Sequence, residues 1–327
     1  MSNTTVKAIR IHQTGGPDAM RWEDVAVGAP GAGEVCLRHT AVGLNYIDVQ
    51  QRSGGYPMKD LPVVLGMEGA GVIEEVGPGV TGFVAGDRVS YCMERGSYSE
   101  RRVIGAKCLI KLDDKTTEEI AAAATLQGLT AHYLVRDLYK VKPGDVALVH
   151  AAAGGVGLLV CQWAKHLGAT VIGTVGTREK AALAEAHGCD HPILYREVDF
   201  GEAVLELTDG KGVNVVYDSV GKDTFDRGID ILAERGWMVS FGQSSGPAPA
   251  LNTARLAMKA QHVTRGGLYY FVKDPEVRAR NAAELFGLIA DGVLKVEINQ
   301  RYQLSDAAQA HTDLEARRTT GSTILTP

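Results

Sequence analysis

Hydrophobic and polar positions repeat with two different periods along the chain. From residue 6 to about 111 the period is two. Val6-Lys7-Ala8-Ile9-Arg10-Ile11 alternates, as do the runs 34–39 and 71–76. Gly77-Pro78-Gly79 and Gly86-Asp87 supply turns between such runs. This predicts an irregular antiparallel β domain. Thr116 with Glu119 then reads as a capping box ahead of a helical run over 120–126.

From about residue 129 to 266 short apolar runs alternate with helical stripes. Strands are predicted at 146–150, 170–174, 192–194, 213–217, 237–241 and 262–265. A helix from Gly155 to about Leu167 carries Val156, Val160, Trp163 and Leu167 on one stripe. Such strands joined by crossover helices imply an α/β fold with a doubly wound parallel sheet. After residue 270 a long helix over 275–290, a strand at 300–303, a helix opened by Ser305-Asp306 and a strand near 323–325 return to complete the first domain. The expected domains are therefore 1–128 with 270–327, and 129–269.

Composition narrows the class. Of 327 residues 45% are hydrophobic and 22% charged, as in soluble globular proteins. The net charge of −5 offers no general attraction for nucleic acid or anionic membrane. The longest nearly apolar stretch, 146–160, holds His150 and three glycines and is too short to span a bilayer. The start, MSNTTVKAIR, lacks the apolar core of a signal peptide. Five scattered cysteines, never spaced as CxxC, point to a reducing cytoplasmic setting. Glycine, with 39 residues, is the outlier, and much of it clusters where backbone must turn or approach something closely.

The sharpest cluster is Ala152-Ala153-Gly154-Gly155-Val156-Gly157, directly after a strand and opening a helix. That is the setting of a dinucleotide fingerprint. Gly154 and Gly155 would let backbone approach a pyrophosphate, whose charge the helix start attracts. Gly157 would allow close helix–strand packing. Ala152 replaces the usual first glycine; tight helix–sheet packing alone is the competing reading. An NAD site carries an acidic residue about 20 positions on. Here the strand runs into Gly176-Thr177-Arg178-Glu179-Lys180. Thr177, Arg178 and Lys180 suit a 2′-phosphate and favour NADPH. Glu179 leaves open an acidic reader one turn late.

The layout resembles the medium-chain dehydrogenase/reductase superfamily, and within it the zinc-free, zeta-crystallin-like NADPH:quinone reductases. The resemblance is carried by Gly43-Leu44-Asn45-Tyr46-Ile47-Asp48, Arg52-Ser53-Gly54-Gly55-Tyr56-Pro57, Gly66-Met67-Glu68-Gly69-Ala70-Gly71-Val72, His150-Ala151-Ala152-Ala153-Gly154-Gly155-Val156-Gly157, Tyr217-Asp218-Ser219-Val220-Gly221 and Phe241-Gly242-Gln243-Ser244-Ser245-Gly246. It implies a GroES-like irregular β domain and a Rossmann domain. Zinc-dependent relatives place Cys at Asn45, His at Met67 and a further Cys within 125–128. None is present here, and Cys92 and Cys108 are too few for a structural zinc lobe.

The resemblance further implies cofactor contacts. Asn45, Tyr46 and Asp48 fall at the nicotinamide-ribose end, with Thr130 and Tyr133 across from them. Gly154, Gly155 and Val156 hold the pyrophosphate. Gly176, Thr177, Arg178, Lys180 and Tyr195 surround the 2′-phosphate. Ser219, Val220, Gly242, Gln243, Ser244, Gly266, Gly267 and Leu268 border the nicotinamide half, and Arg317 is a further contact. Gln50 stands where the family often has an aromatic residue, and Tyr46 where Phe is common. Tyr46 reads equally as a proton donor and as cleft packing; Tyr56 reads as a pocket wall.

Three functions follow as expectations: metal-free NADPH reduction of quinones, NADPH reduction of activated C=C bonds with Tyr46 as proton donor, and a non-enzymatic NADPH-binding role. The expected partner is a small quinone or enone, with neither nucleic acid nor membrane. If the strand order is 3-2-1-4-5-6, the strand at 262–265 is an open edge. Pairing of that edge across a two-fold axis would bury Tyr269-Tyr270-Phe271 in a homodimer. The alternative is that these aromatics fold back over the monomer.

Overall fold

Residues 4–58 and 60–327 are described in a computed structural model of the chain. The first unit opens with β1 (Thr4–Ile11) and β2 (Met20–Val27), followed by β3 (Glu34–Leu44) and α1 (Tyr46–Ser53). Then come β4 (Val63–Val64), β5 (Glu68–Val76), β6 (Arg88–Cys92), β7 (Arg101–Gly105) and β8 (Ile110–Lys111). α2 (Glu118–Tyr133) leads onward.

The second unit holds the alternating elements. They are β9 (Val146–His150), α3 (Gly155–His166), β10 (Thr170–Val175), α4 (Arg178–Glu185), β11 (His191–Leu194), α5 (Phe200–Leu207) and β12 (Val213–Asp218). After them stand α6 (Phe225–Asp230), β13 (Leu232–Ser240), β14 (His262–Thr264) and α7 (Leu268–Val272). The chain ends with α8 (Pro275–Ala290), β15 (Ile298–Gln303), α9 (Ala307–Glu315) and β16 (Ser322–Thr326).

In the first unit β1 pairs antiparallel with β2 and β4, and a larger sheet runs β15-β16-β3-β5-β6-β8, with β7 also on β3. β1 buries Val6 and Ala8 on one face and Ile9 and Ile11 on the other. Ile9, Ile11, Val42, Leu44, Leu65 and Tyr98 form one core with Leu304, Ala307 and Leu325 from the returning segment. The unit comprises residues up to Gln127, Val272–Phe286 and Val296–Pro327.

The second unit is Gly128–Phe271 with Gly287–Lys295. Its six strands run in the order β11-β10-β9-β12-β13-β14, all parallel. This is the 3-2-1-4-5-6 order of the doubly wound dinucleotide fold. Strands buried on both faces need no alternation, and Leu148, Ile172, Val213, Val216 and Met238 pack in its core. The stretch 287–295 belongs to this unit: Gln162 of α3 bonds Lys295 through both amide atoms, at 3.1 and 2.7 Å.

Several elements differ from the sequence expectation. The helix expected over 120–126 runs over 118–133 as α2, because Ala121–Ala124 and the residues beyond are buried all round and give no amphipathic contrast. Its cap is Thr117, whose hydroxyl accepts from Ile120 N–H at 3.3 Å. Thr116 instead gives its N–H to Asp113 in the preceding turn, at 2.9 Å. β2 was not foreseen because most of its residues are partly or fully exposed. After β14 the aromatic run forms the short helix α7: Phe271 stacks on Tyr133 at 4.5 Å, while Tyr269 and Tyr270 stay exposed. Among the described residues no helix is long and apolar enough to cross a membrane.

Candidate active site

In the first unit the site residues gather at the start of α1. Asn45 leaves β3 in an extended conformation and caps the helix. Its N–H donates to Asp48 Oδ2 at 2.9 Å, one half of a capping box. Its side-chain amide donates to Glu68 Oε2 at 2.7 Å, and Gln127 donates to its oxygen at 3.4 Å. Glu68 Oε1 accepts from Leu126 N–H at 2.5 Å, and Ser322 donates to Gln127 at 2.6 Å. Gly43 makes this possible: a Cβ there would lie 2.3 Å from both Glu68 Oε2 and the Ala122 carbonyl. Two carboxyls thus bracket Asn45. Burial pushes Glu68 up to about 8 and Asp48 up to about 7, against the N–H and O–H donors that favour their charged forms.

Asp48 continues into a buried chain. Tyr98 donates to Asp48 Oδ2 at 3.2 Å and meets His311 Nε2 at 3.0 Å. Burial, then the Arg52 charge, hold His311 down at about 3, so it is neutral. Tyr46, half-buried, belongs to a second group on the same helix. Burial and the Glu315 charge raise its phenol, against the opposing pull of Arg317 and Arg52. Arg52, 1% exposed, pairs with Glu315 at 2.7 Å. Arg317 follows α9 with φ +59°. Tyr56 lies past the end of α1, its N–H on the Gln50 carbonyl at 3.0 Å.

The second unit places most of its candidates at the carboxyl ends of the strands, with Thr130 and Tyr133 in α2 and Leu268 in α7. Gly154 caps α3 in an extended conformation. Ala151, at φ +53°, turns the chain out of β9. A Cβ on Gly157 would strike the Ala151 carbonyl oxygen at 2.3 Å, so helix and loop touch through bare backbone. The free N–H groups of Gly155 and Val156 open a helix whose positive end suits a pyrophosphate. Thr177 caps α4, accepting from Lys180 N–H at 3.3 Å. Gly176 faces Tyr195, whose hydroxyl would lie 2.9 Å from a Cβ there, with Arg196 Nε at 3.5 Å. Arg178 pairs with Glu197 at 3.4 Å on the surface. A hydrogen bond to Thr177 holds the Glu179 carboxyl below its usual range, which ties it to the helix start.

Ser219 and Val220 follow β12, and the loop after β13 lies on them backbone to backbone. Ser244 N–H reaches the Ser219 carbonyl at 3.2 Å, and a Cβ on Gly242 would lie 2.5 Å from that same oxygen. Arg265 holds Gln243 at 3.2 Å. Tyr133 reaches the Gly266 carbonyl at 3.4 Å, and Gly266 packs against Leu138 and Phe271. Thr130 is buried one turn before Tyr133, Leu268 is buried in α7, and Gly267 borders Tyr270. The structure thus gathers the pyrophosphate, 2′-phosphate and nicotinamide candidates of this unit on three adjoining loop groups. Asn45, Tyr46, Asp48, Tyr56 and Arg317 belong to the first unit.

Sequence reasoning passed over Glu68, Tyr98, Gln127, His311 and Ser322. Glu68 stood inside a motif that carries the resemblance but was given no role, and Gln127 inside a stretch noted only for a missing zinc ligand. Ser322 lies 195 positions from Gln127, and no local pattern joins them. The side chains at the zinc positions are engaged otherwise: Asn45 in the amide bonds above, and Met67 Sδ as acceptor from Gln51 at 3.2 Å. Among the described residues no group of three His, Cys, Asp or Glu is arranged to hold a metal.

An irregular β unit with a parallel unit of this strand order and these loops defines a two-domain, dinucleotide-dependent oxidoreductase. The sequence model described as an alcohol dehydrogenase GroES-like domain matches residues 31–141, and that described as a zinc-binding dehydrogenase matches 155–284. A quinone oxidoreductase of Pseudomonas aeruginosa is 50% identical, covering 98% of this chain and 99% of that one. A 2-haloacrylate reductase of a Burkholderia species is 44% identical over 98% and 99%. The solved structure of Escherichia coli quinone oxidoreductase complexed with NADPH superposes with a TM-score of 0.95 at 45% identity, covering 99% of this chain and all of that one. The chain belongs to the quinone oxidoreductase family of the medium-chain dehydrogenase/reductase superfamily.

Proposed function

We propose that this protein reduces quinones with a hydride from NADPH and without a metal. The observation that carries the reading is the cradle of residues 151–157 together with the loop 176–180, where Thr177 caps α4 and Arg178 and Lys180 follow. The E. coli relative crystallised with NADPH supports it. When bound, NADPH supplies the hydride. Gly155 and Val156 offer main-chain N–H groups to its pyrophosphate, with Gly154, whose own N–H bonds the Ala151 carbonyl, leaving the approach clear of a side chain, and Thr177, Arg178, Lys180 and Tyr195 meet its 2′-phosphate. Ser219, Val220, Gly242, Gln243, Ser244, Gly266, Gly267 and Leu268, with Thr130 and Tyr133, orient the nicotinamide half. Asn45, Asp48 and Arg317 are assigned to the same cofactor.

The acceptor is an electron-poor carbonyl that needs no Lewis acid, so the protein contributes positioning and proton supply. Tyr46 is assigned as the proton donor of the C=C alternative; burial and the Glu315 charge raise its phenol. Asn45, locked between Glu68 and Gln127, orients rather than transfers, and Tyr56 forms a wall. Amide and thioether at Asn45 and Met67 are poor zinc ligands. Metal analysis should therefore find no stoichiometric zinc; about one tightly bound zinc per chain, with activity lost on its removal, overturns this.

Turnover of NADPH with 1,4-benzoquinone against a 2-alkenal tests the reading. Faster benzoquinone reduction supports it; preference for the alkenal overturns it in favour of C=C reduction, the activity in the name of the Burkholderia relative. In that case Tyr46→Phe slows the alkenal far more than the quinone.

We further propose a homodimer in a reducing, cytoplasmic compartment. β14 is an open sheet edge, flanked by Tyr269 and Tyr270 at 49% and 72% exposure. Pairing two such edges would continue the sheet and cover both rings. Light scattering at micromolar concentration should give twice the chain mass, and Val263→Pro with Tyr270→Glu should halve it. A monomer with normal activity rules the dimer out.

A further inference from the structure

Three neighbouring strands of the second unit end in buried polar side chains. Thr174 lies near the end of β10, His150 ends β9 and Asp218 ends β12, and β9 lies between the other two. Thr174 and His150 are direct partners in the strand register. The three are 3%, 1% and 0% exposed. Burying polar groups in a sheet core is costly unless they are bonded, so their presence calls for a role.

One bond runs sideways, between β9 and β10, and three run from Asp218 into the segment that follows β12. His150 Nδ1 meets Thr174 Oγ1 at 2.9 Å, and the edge of Phe200 meets the imidazole at 4.9 Å between ring centres. Burial lowers the imidazole pKa and the Asp218 charge opposes it, so the ring is neutral but feels the carboxylate. Asp218 Oδ1 accepts from Val220 N–H at 2.8 Å, Gly221 N–H at 3.1 Å and the Thr224 hydroxyl at 2.8 Å. His150 Nε2 and Asp218 Oδ2 are buried without a protein partner. A neutral imidazole that accepts from Thr174 at Nδ1 carries its proton on Nε2, the form a nearby carboxylate favours.

Each of these strands runs directly into a loop assigned above: 151–155 after β9, 176–180 after β10, and 219–221 after β12. Apolar packing between strands fixes spacing but not the last few tenths of an ångström, whereas directed polar bonds in a dry interior select one arrangement. We infer that Thr174, His150 and Asp218 form a buried positioning row that holds the three cofactor loops in mutual register: His150 bonds Thr174, Asp218 is next to His150 in register, since Tyr217 pairs with Val149, and Asp218 bonds its own loop. This rests on the NADPH reading and deepens it, since none of the three side chains is assigned to the cofactor itself.

The test is calorimetric binding of NADPH and of 2′,5′-ADP, which carries the 2′-phosphate but no nicotinamide, to the full-length protein, with thermal unfolding alongside. His150→Leu should weaken NADPH about tenfold, the loss of its one buried polar bond, and should raise KM for NADPH more than it lowers kcat. His150→Asn, which can keep the bond to Thr174, should restore 2′,5′-ADP binding but not the full NADPH affinity. Asp218→Ala should weaken NADPH and spare 2′,5′-ADP, and Asp218→Asn, which retains the Oδ1 acceptor, should recover most of the loss. Wild-type protein that fails to bind NADPH would refute the cofactor reading itself. NADPH bound normally by the wild type and within twofold by His150→Leu would refute the row. So would equal losses for both ligands in every variant, tracking their loss of thermal stability.

Discussion

The two groups of site residues are built from opposite materials. In the second unit the cradle is main chain: Gly154, Gly157, Gly176 and Gly242 stand where a side chain would fill the space or strike backbone. In the first unit the start of α1 is held by side chains that converge from distant positions. Asn45 reaches Glu68 across 23 positions and Gln127 across 82. A backbone cradle tolerates little added volume but is indifferent to side-chain protonation. A buried carboxyl network differs in carrying a charge problem at its centre.

The largest test of that contrast is Gly157→Val. Its Cβ would lie 2.3 Å from the Ala151 carbonyl oxygen and 2.9 Å from the Ala152 carbonyl carbon, neither of which is a flexible side-chain end. The expected cost exceeds about 3 kcal/mol, with loss of NADPH binding. Gly287→Ala is the control. It lies in α8, where a Cβ meets nothing within 4 Å, and should stabilise the protein by about 0.5–1 kcal/mol. Chemical unfolding curves of both variants check the pair. Equal stability of the two would remove the distinction between cradle glycines and incidental ones.

Next comes Asn45→Ala in the side-chain network. It strips Glu68 Oε2 of its amide donor and leaves the Gln127 amide without that acceptor, both in the interior. Leaving buried polar atoms unpaired costs about 1–3 kcal/mol. The variant should lose about 2 kcal/mol in urea unfolding while still binding 2′,5′-ADP as the wild type does. Unchanged stability would mean that the network does not hold the start of α1.

The contrast also explains what could be read from residues alone. The second unit was legible because its rules are local. Strand, glycine cluster and helix follow one another within a few positions, and the six-strand order emerged as expected. The glycine spacing at 154–157 was a direct trace of backbone contact. In the first unit the strands were legible from their alternation but the site only through resemblance, since Tyr98, His311 and Ser322 join the network from separate elements with no repeating signal. α2 was read short for a related reason: Ala121 to Ala124 are buried on every side, so periodicity marked only part of the helix.

Charge inside the network gives a pH test of smaller size. Glu68 is raised from its ordinary 4.5 to about 8 and Asp48 from 3.8 to about 7, both by burial. The folded protein therefore holds these protons more tightly than the unfolded chain does. The associated stability is complete below the ordinary carboxyl range and is lost as pH rises through the raised values. His39 and His311, lowered to about 3 by burial, act oppositely: their contribution is lost as pH falls below about 6.5. Between pH 4.5 and 6.5 the two effects offset. From 6.5 to 8 the carboxyl effect stands alone, and stability should fall by about 2 kcal/mol. Glu68→Gln should flatten most of that fall in Tm-versus-pH curves. An unchanged slope in the variant would show that Glu68 does not carry it.

The smallest expected effect lies at the rim of the backbone cradle. Lys180 follows the Thr177 cap at the start of α4, where Gly176 brings the main chain close to Tyr195 and Arg196. NADPH and NADH differ by one phosphate, so only groups at this rim can tell them apart. A charge-assisted bond to that phosphate is worth about 1.5–3 kcal/mol. Arg178 is already shared with Glu197 at 3.4 Å on the surface, where such a pair adds little of its own. Lys180→Ala should therefore weaken NADPH about tenfold and leave NADH nearly unchanged, narrowing the preference without erasing it. Fluorescence titration with both nucleotides reads the ratio directly. Equal affinities in the unmutated protein would mean that the rim does not recognise the phosphate, and that Glu179 reads the ribose in its place.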